Sequence, residues 1–226
     1  MAEEKKKLVR GVVVEFDFTA IDGSQILFDT AKKVLKAAGV DLTIKMEAMR
    51  LVGGNYQGAL KELFESLDVQ ADPVQVAQEL AEAFKAALNE KAVAAVTPAF
   101  KAFVKALTDR GLKVVIATRS DLEQLKPAFA EFDPELVALY QEPSNTYGNC
   151  KQDAWRRACN QNGLVDMLTA AVTGSGKGVK SALVAGMSAL AVVHDHVVYQ
   201  DFGGADAVVD AFDPKLVDVI AQMLHM

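Results

Sequence analysis

At 226 residues, 51% hydrophobic and 24% charged, the chain is long enough for one well-packed domain with a modest insertion, and its composition is that of a globular protein. A net charge of −6 argues against nucleic acid as a partner, because a phosphate backbone calls for a basic surface. The opening Met1-Ala2-Glu3-Glu4-Lys5-Lys6-Lys7 lacks the apolar segment of a signal peptide, and no apolar run approaches a membrane span. Two cysteines, Cys150 and Cys159, fit unpaired thiols in a reducing compartment, so a cytoplasmic location without membrane partners is expected.

The first element is a strand from Leu8 to Val14, apolar enough to be buried on both faces. It ends at two carboxylates, Glu15 and Asp17, followed by Thr19 and the turn Asp22-Gly23. Acids at the C-terminal end of a buried parallel strand are costly to desolvate, and that crevice is where open α/β sheets bind ligands. Residues 24–95 show helical spacing only. One helix carries Leu27, Ala31, Val34, Leu35 and Ala38 up to Gly39; a second covers Thr43 to Val52 before Gly53-Gly54. Leu60, Leu63, Phe64 and Leu67 mark a third, and Asp72-Pro73 opens a fourth through Val76, Leu80, Phe84 and Leu88.

From residue 97 helix and strand alternate. Thr97-Pro98 caps a helix with Phe100, Phe103, Val104 and Leu107 that stops at Gly111; a strand over Lys113–Ala117 ends at Thr118-Arg119-Ser120. A helix over Asp153–Gln161, a strand over Leu168–Val172, a helix to about Ala185 and a strand over Ala189–Val193 follow. Ala207-Val208-Val209 is a short last strand, and Asp213-Pro214 starts a terminal helix. This order predicts an α/β protein with a central parallel sheet flanked by helices, while residues 24–95 by themselves read as a small helical bundle.

The segment Glu15-Phe16-Asp17-Phe18-Thr19 resembles the first motif of the haloacid dehalogenase (HAD) superfamily, an apolar strand ending in Asp-x-Asp-x-Thr, with Glu15 where that family has its nucleophilic Asp. The resemblance implies a Rossmann-like core formed by residues 1–23 and 96–226, with the helical block 24–95 as the family's inserted cap, and Asp17 at the acid/base position. Thr118, ending the second strand, then takes the phosphate-binding hydroxyl position of the second motif, next to Arg119. In the third motif, Gly148-Asn149-Cys150-Lys151-Gln152-Asp153, the family's Lys aligns with Asn149, and Lys151 two residues along is the nearest replacement. In the fourth, Thr173-Gly174-Ser175-Gly176-Lys177-Gly178 followed by Ala185-Gly186-Met187, both Mg²⁺-holding acids fall on glycines, Gly174 and Gly178. Ser175, Gly176 and Lys177 instead form a glycine nest at a helix N-terminus, able to bind an anion through backbone N–H groups; Gly-x4-Gly-Lys-Ser/Thr is not satisfied.

The expectation is therefore a HAD fold with a degenerate phosphatase site that acts by binding a small anionic metabolite or a protein partner, without a cofactor. The rival is an atypical hydrolase of a small phosphorylated or anionic metabolite, with Mg²⁺ if Glu15 and Asp17 hold it. His194-Asp195-His196 offers no sequence-level metal site, because neighbours on a strand point to alternating sides.

Overall fold

The computed structural model describes residues 9–52, 55–142, 152–197 and 199–226. Gly148, Asn149, Cys150 and Lys151, the expected third motif, lie outside the described residues. Strand β1 (Gly11–Glu15) is buried along its whole length, and the chain then turns directly into the one-turn helix α1 (Phe16–Thr19). Helices α2 (Gly23–Ala37), α3 (Ile44–Met46), α4 (Tyr56–Leu67) and α5 (Pro73–Ala95) follow, with a π-helical turn at Glu47–Leu51. Asp72, the predicted cap, accepts from Val74 N at 2.9 Å with Pro73 behind it, and two further caps close helix starts the sequence reading did not assign: Asp22 accepts from Gln25 N at 3.0 Å and Asn55 from Gln57 N at 3.1 Å.

Alternation then begins with α6 (Pro98–Asp109) and β2 (Lys113–Thr118). Helix α7 (Leu122–Leu125) and strand β3 (Val137–Gln141) come next, neither of which the apolar pattern announced. The remainder is α8 (Gln152–Gln161), β4 (Thr169–Thr173), α9 (Gly176–Ala185), β5 (Ser188–Val192), β6 (Ala207–Val209) and α10 (Leu216–Met223). The last helix starts two residues beyond Asp213-Pro214, because Asp213 Oδ1 closes a local turn with Lys215 N at 2.7 Å instead of capping.

The six strands are all parallel in the order β3-β2-β1-β4-β5-β6. Alternating residues sort to two cores, as strand geometry requires. Val12, Val14, Val114, Ile116 and Val172 pack with the helical segment and with α6 and α10, whereas Val13, Val115 and Ala171 meet Trp155, Val179 and Met187 from α8, α9 and the turn before β5. The chain builds outward through β2 and β3, then restarts at β4 on the other side of β1. That reversal between β1 and β4 opens a crevice at their C-terminal ends, and it is there that the two acids emerge. Among the described residues, no helix is long and apolar enough to cross a membrane.

Candidate active site

The sheet register places Glu15 beside Ala117 of β2 on one side and next to the end of β4 on the other, where Val14 pairs with Val172. Thr173 is therefore its lateral neighbour, and the Thr173 hydroxyl donates to Glu15 Oε2. Glu15 is 1% exposed and its second oxygen, Oε1, has no hydrogen-bond partner. Burial pushes its carboxyl up to about 7; the Thr173 bond and the Arg119 charge pull the other way, and the neighbouring Asp17 adds a smaller upward push. At neutral pH this group is poised between its two protonation states. Thr173→Val is expected to raise the Glu15 pKa further and to cost about 1–3 kcal/mol, since it strands a second carboxyl oxygen without a partner. A carbon-detected NMR titration of the glutamate carboxyls measures it; an unshifted Glu15 resonance would show that the hydroxyl does not tune the acid.

Asp17 is equally buried but differently treated. Its Oδ1 accepts from the Thr118 hydroxyl, and its Oδ2 accepts from Arg119 twice, from the backbone N at 2.8 Å and from Nη1 at 2.9 Å. Thr118 in turn accepts from Ser120 N at 2.9 Å, which fixes the turn after β2. The guanidinium sits over the Phe18 ring, 5.7 Å from its centroid. Thr118 and Arg119, expected as anion binders, are thus brought to the first motif, where they hold the protein's own carboxylate.

At the start of α9, where the sequence placed a glycine nest, two backbone donors are engaged internally. Gly176 N donates to Gln200 Oε1 at 2.9 Å and Gly178 N to the N-cap hydroxyl of Ser175 at 3.0 Å. Lys177 is half-buried and near enough to Glu47 for its charge to oppose the upward shift of that acid.

Glu47 and Thr173 are functional candidates that sequence reasoning missed, and His196, weighed there only for a His-Asp-His metal site, stands beside Glu47. Glu47 lies in the π-helical turn, fully buried, with neither carboxylate oxygen hydrogen-bonded; desolvation and the charge of Asp22 push it up to about 8. His196 Nε2 stands 3.6 Å away, inside ion-pair range but too far for a hydrogen bond, and its ring packs on Phe28 at 5.0 Å. His194 Nε2 lies 3.0 Å from Thr19 O; a carbonyl only accepts, so that nitrogen carries the proton. Thr173 carried a signal, as the strand-end hydroxyl matching Thr118. Glu47 had none, since it reads as one more polar residue on an amphipathic helix.

A family model described as haloacid dehalogenase-like hydrolase matches residues 12–192. The chain belongs to this family. A β-phosphoglucomutase from Clostridium difficile superposes on the HAD chain with a TM-score of 0.74 at 13% identity, covering 96% of this chain and 98% of that one. A hydrolase from Pseudomonas syringae gives 0.68 at 17% identity over 94% and 98%, and CbbY from Rhodobacter sphaeroides, in complex with phosphate, gives 0.64 at 17% over 92% and 96%. At such identities the likeness establishes the fold. A search of the curated proteins returns no match.

HAD relatives commonly employ Mg²⁺, which calls for a cage of hard oxygen donors. The residues present do not fit the ion. A Cβ at Gly174 would lie 1.7 Å from the Phe18 carbonyl oxygen, and one at Gly178 would lie 2.0 Å from Thr173 Oγ1. At the two positions where the resemblance would put acids, the space for a side chain is thus taken by backbone and by a hydroxyl bonded to Glu15. Among the described residues, no group of three or more His, Cys, Asp or Glu side chains is placed to hold a metal. A hard divalent cation wants about six oxygen ligands, which this pair of buried carboxyls does not supply.

Proposed function

We propose that this is a cytoplasmic HAD-fold protein whose phosphoryl-transfer centre has degenerated, and that it acts by binding a small anionic metabolite or a protein partner rather than by efficient turnover. Residues 24–95 serve as its cap in this reading, and a small ligand would lodge between them and the sheet. The observation that carries the proposal is Glu15 at the nucleophile position: buried, bonded to Thr173, and held near neutrality by desolvation. A nucleophilic carboxylate must be ionised and must reach its target, whereas the unpartnered Oε1 of Glu15 is buried. Here Arg119, the positive charge that would sharpen it, is bonded to Asp17 and offsets only part of the upward push that burial gives Glu15. Among the described residues, the half-buried Lys177 at the start of α9 offers a positive charge to an anionic ligand in this reading.

One feature favours the second reading, an atypical hydrolase of a small phosphorylated or anionic metabolite: a carboxyl titrating near 7 is well matched to general acid–base work. Release of inorganic phosphate from sugar phosphates and small phosphorylated acids, with and without Mg²⁺, separates the two. The expected rates lie far below the usual enzyme range of about 1–10³ s⁻¹. Turnover within that range, abolished by Asp17→Asn, would reverse the assignment.

A further inference from the structure

We propose that Arg119 is the protein's resident counter-cation, balancing the buried acid pair internally and making the centre independent of divalent metal. The inference deepens the degenerate-site reading and rests on it for the role of the pair. Glu15 and Asp17 stand two residues apart, each 1% exposed. Two carboxyls in so dry a place raise each other's cost, and some positive charge must offset it. In an open carboxylate site a bound ion can do this. Here the charge is covalently part of the chain.

Its attachment is unusually complete. Arg119 follows Thr118 at the end of β2, so the strand itself delivers it to the neighbouring β1 terminus. Its backbone N and its Nη1 both grip Asp17 Oδ2, while the preceding residue's hydroxyl takes Oδ1. The guanidinium is only 13% exposed and lies on Phe18, so water competes little for it. The same residue acts on both acids, since its charge also holds Glu15 below where burial alone would put it. Opposite this pair, the Phe18 carbonyl and Thr173 Oγ1 fill the places next to Gly174 and Gly178. Packing around the acids has thus closed on a cation the chain supplies.

Thermal unfolding of the full chain tests the proposal, with Mg²⁺ or Mn²⁺ added at constant ionic strength and with a chelator. The wild-type melting temperature should not move with either. Arg119→Met should lower it by about 10 °C, because it leaves a buried carboxylate without its partner. The double variant Asp17→Asn/Arg119→Met should regain at least half of that loss, since the demand and the supply are removed together. A metal-dependent rise in wild-type melting temperature that Asp17→Asn removes would overturn the proposal, as would an Arg119→Met protein of wild-type stability or a double variant no better than the single. If Arg119→Met does not fold, recovery in the double variant and the wild-type metal titration decide by themselves. Failure here is distinguishable from failure of the degenerate-site reading: a metal-free phosphatase would refute the latter and leave Arg119 in place.

Discussion

Gly174→Asp, which places an acid where the resemblance would put one, is expected to destabilise the protein by about 3 kcal/mol or more and to create no metal site. The reason is steric before it is electrostatic. Gly174 is buried, and its Cβ would come within 1.7 Å of the Phe18 carbonyl oxygen and 3.1 Å of Phe18 Cβ. Phe18 belongs to α1, which is anchored to the core through Phe16 and Ile21, so the clash cannot be relieved by rotating one side chain. The added carboxylate would also be desolvated next to two existing acids. Gly58, exposed on α4 with nothing nearer than 3.9 Å, is the control; Gly58→Ala should stabilise by about 0.5–1 kcal/mol. Equilibrium urea denaturation reads both. A Gly174→Asp protein as stable as wild type would mean that α1 yields freely, and the case against a metal would fall with it.

The second large effect is a loss of stability with rising pH. Glu15 and Glu47 both titrate in the folded state well above the ordinary 4.5, at about 7 and about 8. Between 4.5 and those values the folded protein keeps protons that the unfolded chain has released, so unfolding becomes easier as pH climbs. Below about 4.5 both states are protonated at these sites and no such penalty exists. The loss therefore runs from about pH 4.5 to 7 for Glu15 and on to 8 for Glu47, and together it amounts to several kcal/mol. Asp201, whose pKa is lowered chiefly by its bond with Lys180, has the opposite sign, but it lies at the surface where solvent screens it. Glu47→Gln should flatten the upper part of the profile and Glu15→Gln the lower part. A wild-type profile that rises steadily from pH 5 to 8 would show that the two acids are not buried as described.

How far the sequence reaches can be followed residue by residue. Val12–Val14 and Lys113–Thr118 announced themselves as buried strands, because a strand covered on both faces must be apolar at every position. Asp72-Pro73 and Thr97-Pro98 announced helix starts through local chemistry that acts within three residues. Strand β3 was missed because it lies at the sheet's edge and is only partly buried, so its pattern is weak. Helix α1 was missed because a single turn is too short to show a period.

The functional residues divide the same way. Glu15 and Thr118 were legible as strand ends, and the sequence alone determined that a parallel α/β fold carries a carboxyl pair, Glu15 and Asp17, just where its first strand ends. Only the tertiary structure decided what surrounds that pair. Arg119 lies about a hundred residues from Asp17, Thr173 still further from Glu15, and His196 from Glu47. Whether such groups neutralise one another depends on distances of a few ångströms and on excluded water, and both arise from strand order and packing rather than from any local run of residues.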